Sequence, residues 1–320
     1  MNNYPSYLSS YESGELEKIA ELAFKMLKSC SICPRRCRVN RLKNELGFCK
    51  TGLNPKVFSY MPHYGEEPPI SGECGSGTIF FSNCNMRCCY CQNAEFSQKG
   101  KGGGEVDFEG LANMMLELQG LGCHNINLVT PTHVMPQILK ALAIAVPKGL
   151  KIPLVYNTSG YELASVIKLL DGVVDVYLAD LRYADPQLAL KYSQAPDYPL
   201  YSQEAVKEMH RQVGVVNLDN EGIIQRGLLI RHLVLPNNIS GTAKIMQFIA
   251  QELSLDTYIG LMSQYFPCYN ASSFKELNRC ITAEEYEEAK TIMERLDLHN
   301  GWTQEDGGLM RFAGANIKPI

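Results

Sequence analysis

The chain has 320 residues, with 30 Lys and Arg against 34 Asp and Glu, and 45% of its residues are hydrophobic. That length suits one α/β barrel with an appendage rather than two or three equal domains, and the composition and the net charge of −4 exclude disorder, collagen and a nucleic-acid-coating surface. No run approaches the roughly 18 apolar residues of a membrane helix, and the first thirty residues lack a basic segment leading into an apolar one, so no membrane partner and a cytoplasmic location are expected.

In chain order, Leu16, Ile19, Ala20 and Ala23 recur at helical spacing and predict an amphipathic helix over Ser13 to Lys28. From Ser29 to about Gly77 there is no sustained period, and Pro55, Pro62, Pro68 and Pro69 with four glycines argue for loops. Short apolar strands then alternate with amphipathic helices. The strands are expected at 78–83, 125–130, 152–157, 174–180, 228–234 and 258–263. The stripes Leu111/Met114/Met115/Leu118, Ile138/Ala141/Leu142/Ala145, Leu163/Val166/Ile167/Leu170 and Met246/Ile249/Ala250/Leu253 each predict a helix with one buried face. A last helix starts at Thr282, where Thr282 and Glu285 form a capping-box pattern. Repeated strand, helix, strand forces parallel pairing with right-handed crossovers, and active sites of such sheets form at the carboxyl ends of the strands.

Twelve cysteines are the abnormal count. The chain is too long for a disulfide mini-scaffold, so metal binding is the leading explanation. Cys84, Cys88 and Cys91 form a CxxxCxxC motif that begins where the first of the six strands ends. Three thiolates from one short loop can ligate three irons of a [4Fe-4S] cluster and leave the fourth without a protein ligand, the mark of a catalytic site. Cys89 adjoins Cys88, and neighbouring side chains diverge, so it is set aside. Three buried thiols, or a zinc knuckle completed by Cys74, are the alternatives.

With Tyr90 just before the last cysteine, this motif at the first of six βα units resembles the radical S-adenosylmethionine (radical SAM) superfamily, over roughly residues 77 to 297. The segments 63–72 (HYGEEPPISG), 91–93 (CQN) and 231–236 (RHLVLP) further resemble the branch akin to pyruvate formate-lyase activating enzyme. The expected fold is α/β, a partial (β/α)6 barrel of parallel strands with a cysteine-rich N-terminal extension that activating enzymes proper do not need. The expected division is an N-terminal helix and cysteine-rich metal-binding segment with loop at 1–76, the barrel at 77–300 and a tail packed on it at 301–320. The resemblance implies a [4Fe-4S] cluster on Cys84, Cys88 and Cys91 that binds SAM. There, one electron from flavodoxin or ferredoxin splits SAM to a 5′-deoxyadenosyl radical, which abstracts hydrogen from a protein or small substrate. A non-catalytic iron-sulfur carrier on the same barrel is the rival expectation. A phosphate-binding barrel enzyme with structural zinc is a third, unsupported by any Gly-rich phosphate loop.

The strand ends supply candidates to hold SAM beside Tyr90. Where relatives carry a Gly-Gly-Glu-type segment that contacts the SAM amino group, this sequence has Thr130-Pro131-Thr132; their hydroxyls can accept from an ammonium, and Thr132 is equally suited to cap the next helix. His133 is expected in a capping or surface role. Asn157 and Ser159 suit ribose or carboxylate recognition, or a plain polar turn. Asp180 and Arg182 stand where activating enzymes have Asp-x-Lys, as low-ranked catalytic candidates or a barrel-rim salt bridge. Period-two alternation puts Arg231 and Leu233 on one face and His232 on the other. Arg231 is expected to aim at the SAM carboxylate in preference to a structural ion pair, and His232 to be a packing residue. His63, Glu66 and Glu67 either line the substrate mouth or stay solvated.

Cys30, Cys33, Cys37 and Cys49 fall within twenty residues of a segment poor in hydrophobics. Four cysteines can close a zinc site or bind a second iron-sulfur cluster, either of which contributes folding energy. Arg35, Arg36, Arg38, Arg41 and Lys43 surround them, a positive field expected to lower the thiol pKa values. Cys123, Cys268 and Cys280 are expected to be small buried residues.

Overall fold

Strands buried on both faces read as short apolar runs, and such runs form the centre of this molecule. A computed structural model describes residues 4–304. Its strands are β1 Lys56–His63, β2 Ser76–Phe81, β3 Gly104–Glu105, β4 Ile126–Val129, β5 Leu154–Thr158, β6 Val176–Asp180, β7 Asn217–Leu218, β8 Ile224–Leu233, β9 Tyr258–Met262 and β10 Gly301–Thr303. The order is β10-β9-β8-β6-β5-β4-β2-β1-β3, with β7 on β8. From β2 to β10 every neighbour along this path is parallel, and the six expected strands form this run with β10 added. The sheet ends at β3 and β10 without closing, which is the expected partial barrel.

Helices Phe108–Gly120, Met135–Ala145, Ala164–Ile167 and Thr242–Glu252 stand where the four apolar stripes predict them, and Ala283–Arg295 where the capping box does. Leu111, Met115, Leu118, Ala141, Leu142, Ile167, Met246 and Ile249 all enter one core. The helix Glu15–Lys25 buries Leu16, Ala20 and Ala23 in that same core, so the amino-terminal helix is built into the barrel wall. The Thr282 capping box forms with both of its hydrogen bonds. No helix among the described residues is long and apolar enough to cross a membrane.

Three segments differ from expectation. The stretch expected as loop contains β1, antiparallel to β2, with Pro62 opposite Gly77. The prolines that suggested loop stand just before this strand and next to its last residue, where they break little of its ladder. Between β6 and β8 lie two unforeseen helices, Pro186–Ser193 and Tyr198–Val213. Each carries a proline in its first turn, where a missing N–H costs nothing, and the second buries the stripe Ala205, Val206, Met209 and Val213. Of the expected tail, 301–303 pairs with β9 as β10, and 305–320 lies outside the described residues.

Candidate active site

The cysteine loop leaves β2 through Ser82 and through Asn83, whose positive φ of 73° turns the chain sharply. Neighbours pin the loop from several sides. Arg87 and Cys89 donate their N–H groups to the carbonyls of Ser193 and Tyr192, at 3.1 and 2.8 Å. The Asn85 amide donates to the Tyr161 carbonyl at 2.8 Å, and Gln98 to that of Cys88 at 2.8 Å. Each motif thiol has its own partner. Cys84 Sγ accepts from Met86 N–H at 3.3 Å, Cys88 Sγ from Arg182 Nη1 at 3.2 Å, and Cys91 Sγ meets the Ser97 hydroxyl at 3.2 Å.

Burial pushes the Cys84 thiol up to about 12, with Cys88 and Cys91 adding to the shift, and burial likewise raises Cys91. Three thiols held this close and this dry become thiolates only when a cation supplies the missing charge. Burial pushes Cys89 up to about 12 as well, with Cys88, Cys268 and Glu276 adding to the shift. Cys74 is exposed before the start of β2, and among the described residues no three Cys, His, Asp or Glu side chains stand at single-ion spacing. The zinc-knuckle alternative therefore has no geometry here.

Beside Cys91 opens a cavity of about 230 Å³, lined at the strand ends by Phe80, Val129, Asn157, Asp180, Arg231 and Met262 and closed over by Tyr90 and Tyr265. Strand register explains its polar wall, because Asp180 on β6 lies opposite Arg231 on β8, and Asn157 on β5 opposite Val129 on β4. Arg231 Nε donates to Asp180 at 2.8 Å and Nη2 to Asn157 at 2.7 Å, while Nη1 stands 3.8 Å from Glu66. Arg231 is thus engaged in an ion pair with Asp180, the reading ranked second to a contact with the SAM carboxylate. Arg182 also grips Asp180, with Nε at 3.1 Å, and so connects that carboxylate to Cys88. Burial alone would raise Asp180, but Arg231 and Arg182 together hold it below the usual carboxylate range.

Among the candidates for SAM, Tyr90, Asn157 and Arg231 line the cavity, and Thr130, Thr132 and Ser159 do not. Thr132 neither caps a helix nor faces the cavity. Its hydroxyl and that of Thr158 donate to the buried Glu162 at 2.5 and 2.6 Å, and burial raises that carboxyl to about 7. Thr130 takes a positive φ of 60°, a strained conformation for a β-branched residue, where the chain turns out of β4. His63 and Glu66 line the mouth, 3.5 Å apart, and Glu67 is buried behind them, raised to about 7 by burial against the pull of Arg231. The cavity also contains Gln92, Gln264 and Phe266, which sequence reading missed. The strand-end rule applied to β9 would have found the last two.

Several other expectations are corrected. His133 is wholly buried rather than on the surface, with Nε2 on the Ser82 carbonyl at 2.9 Å. His232 packs as expected, between the Leu181 carbonyl and the Thr242 hydroxyl. Cys123 is buried, but Cys280 is exposed and Cys268 only half-buried. Cys33 is not lowered: burial pushes it up to about 12, Cys49 and Cys30 add to the shift, and the Arg35 backbone N–H opposes it. Arg36, Arg38 and Lys43 point to solvent, while Arg35 and Arg41 turn in.

A family model of the radical SAM superfamily matches residues 78–239, the stretch that carries the cysteine loop, β2 to β8 and most of the cavity wall. The chain belongs to the radical SAM superfamily. It is 32% identical over 298 residues to an uncharacterised protein of Methanocaldococcus jannaschii, covering 88% of this chain and 79% of that one. Among solved structures it is similar to the FeFe-hydrogenase maturase HydG from Carboxydothermus hydrogenoformans, at 12% identity and a TM-score of 0.49, covering 74% of this chain and 55% of that one. It is also similar to methylornithine synthase, at 12% identity and a TM-score of 0.46, covering 98% of this chain and 87% of that one. The chain thus spans little more than half the length of the maturase. Membership of the radical SAM superfamily implies SAM cleavage at an iron-sulfur cluster.

Proposed function

We propose that Cys84, Cys88 and Cys91 hold three irons of a [4Fe-4S] cluster, that the fourth iron faces the cavity, and that SAM binds there. The observation that carries this reading is three mutually interacting thiols, Cys88 buried and Cys84 and Cys91 half-buried, at the carboxyl end of a barrel strand, beside a cavity with a charged wall. The donor set fits the group: soft sulfur ligands, an open side, and an arginine donating to one sulfur. The bound cluster and SAM supply, on one-electron reduction, a 5′-deoxyadenosyl radical for hydrogen abstraction.

The chain's own residues then bind, orient and exclude water. Tyr90 lies across the cluster side of the cavity, in contact range of Tyr265. Asn157 and Arg231 present polar groups to the SAM carboxylate or ribose, with Arg231 held in register by Asp180. Arg182 orients Cys88 and serves as a positioning residue. Thr130 stands at the strand end where the SAM amino group is recognised in relatives; Thr132 and Ser159 support that wall from behind.

On its resemblance to pyruvate formate-lyase activating enzyme, the reading extends to hydrogen abstraction from a protein or small substrate, with a flavodoxin or ferredoxin as electron donor. Within the amino-terminal segment, Cys30, Cys33, Cys37 and Cys49 hold a second metal group. All twelve cysteines are free, which suits a reducing cytoplasm. The test is anaerobic SAM cleavage with a chemical reductant. Wild-type protein should release 5′-deoxyadenosine and the Cys88→Ala protein none; equal release from both would overturn the assignment.

A further inference from the structure

The charged wall of the cavity is not satisfied by its own ion pairs. Asp180 is fully paired, since Arg231 Nε donates to it at 2.8 Å and Arg182 Nε at 3.1 Å. Arg182 commits its other nitrogens as well, Nη2 to the same carboxylate at 2.5 Å and Nη1 to Cys88 Sγ at 3.2 Å. Glu66 is the exception. Its side chain is 9% exposed and lines the cavity, yet among the described residues its carboxylate makes no hydrogen bond. Arg231 Nη1 stands 3.8 Å from it and His63 Nδ1 3.5 Å.

Two more polar atoms of the same cavity are unsatisfied. His63 Nδ1 and Asn93 Oδ1 are buried without a hydrogen-bond partner, and both residues line the wall with Glu66. A carboxylate and an amide oxygen can only accept, and an imidazole nitrogen accepts in one of its two neutral tautomers, so the group that completes this corner is a donor. It is also a cation, because a carboxylate this far from water requires one at hydrogen-bond distance. The chain's own arginine cannot serve. Arg231 is fixed by Nε on Asp180 and Nη2 on Asn157, and Glu67 shares it at 3.9 Å, so three carboxylates face one guanidinium. An ammonium carries three N–H donors on one compact charge and matches the three acceptors.

We infer that Glu66, with His63 and Asn93, forms a subsite for a primary ammonium group. This deepens the proposal that SAM binds in the cavity and rests on it. SAM carries such a group on its methionine part, and an amine substrate would carry one of its own. The arrangement beside Arg231 suits either. Nη1 is the nitrogen of that guanidinium without a hydrogen bond, so a free donor and a free acceptor stand 3.8 Å apart. In an α-amino acid the carboxylate and the ammonium share one carbon, and partners at that separation can take both.

The experiment measures binding to the anaerobically reconstituted full-length protein and to its Glu66→Gln variant, which keeps the shape of the side chain and removes its charge. In one arm SAM and its analogue lacking the amino group are titrated calorimetrically. In the other, propylammonium and uncharged propanol are titrated into the protein with and without SAM. If the ammonium is SAM's own, Glu66→Gln weakens SAM about tenfold or more, the worth of one hydrogen bond to a charged group, and leaves the analogue unchanged. If it is a substrate's, the variant binds SAM as wild type does, and SAM-loaded wild type prefers propylammonium to propanol while the variant does not. Asn93→Leu is the second variant and should weaken the same arm. Wild type and both variants binding SAM and propylammonium alike would overturn the subsite. Failure of wild type to bind SAM would instead overturn the proposed function, and propylammonium then decides the subsite alone.

Discussion

Two cysteine loops in this molecule face the same physical problem and solve it to different ends. In both, burial drives thiols up to about 12, as at Cys33 and Cys84, and in both an arginine is turned toward a sulfur, Arg41 toward Cys30 and Arg182 toward Cys88. The loop at Cys84 offers three ligands on the edge of a cavity of about 230 Å³; the loop at Cys30 offers four beside a space of only about 10 Å³. Ligand number and access, not thiol environment, separate a centre that can bind a substrate from one that cannot.

The sharpest way to break this comparison is to remove one ligand from each loop. Cys88→Ala should reduce 5′-deoxyadenosine release to background, while Cys37→Ser should keep SAM-induced changes at the first cluster. Equal loss in both variants would mean that the loops act as one centre.

Next in size is Arg41→Ala. It strips the His133 and Gly52 carbonyls of a buried donor, at 2.8 and 3.2 Å, and should cost about 3 kcal/mol of stability. Denaturant unfolding of the reconstituted protein measures it. A loss under about 0.5 kcal/mol would show that the amino-terminal loop is not fastened to the barrel through this residue. Arg182→Lys should act on the other loop alone. Lysine keeps the charge but cannot hold Asp180 and Cys88 together, so the cluster's reduction potential should move negative as a sulfur loses its donor. A redox titration followed by electron paramagnetic resonance checks it, and an unchanged potential would release Arg182 from its positioning role.

The fold was legible wherever periodicity had one cause. Strands buried on both faces and helices with one stripe announced themselves, down to the capping box at Thr282. β1 was missed because prolines at its two ends read as loop, and the helix Tyr198–Val213 went unpredicted although it carries an apolar stripe of its own. The site was legible where spacing carries chemistry, at Cys84, Cys88 and Cys91. It was illegible where partners come from distant strands: nothing in one strand's sequence says that Arg231 meets Asp180 and Asn157, or that Glu162 collects the hydroxyls of Thr132 and Thr158. Nor did sequence reveal that burial raises Cys33, since local charge is visible in a sequence and desolvation is not.

The smallest effect joins the two regions through His133, whose carbonyl takes Arg41 and whose ring reaches Ser82 at the end of β2. Burial holds its pKa at about 3, against 6.5 for the free side chain, and holds His232 at about 4. A histidine depressed by folding contributes stability above about 6.5 that is lost as pH falls, because the unfolded chain takes up protons the folded one refuses. Glu67 and Glu162, both raised by burial to about 7, run the other way between their ordinary value of 4.5 and 7, where the folded chain holds the extra proton. Two histidines and two glutamates therefore nearly cancel, and the wild-type profile should be flat from about pH 6.5 to 5. His133→Gln keeps a donor for Ser82 and removes one term. Its stability relative to wild type should rise by about 1.4 kcal/mol per pH unit on acidification through that window, and Glu162→Gln should show the opposite slope. Urea unfolding at several pH values reads both, and parallel profiles for wild type and His133→Gln would mean that His133 is protonated at this junction and that the two regions meet through a wetter contact than the geometry describes.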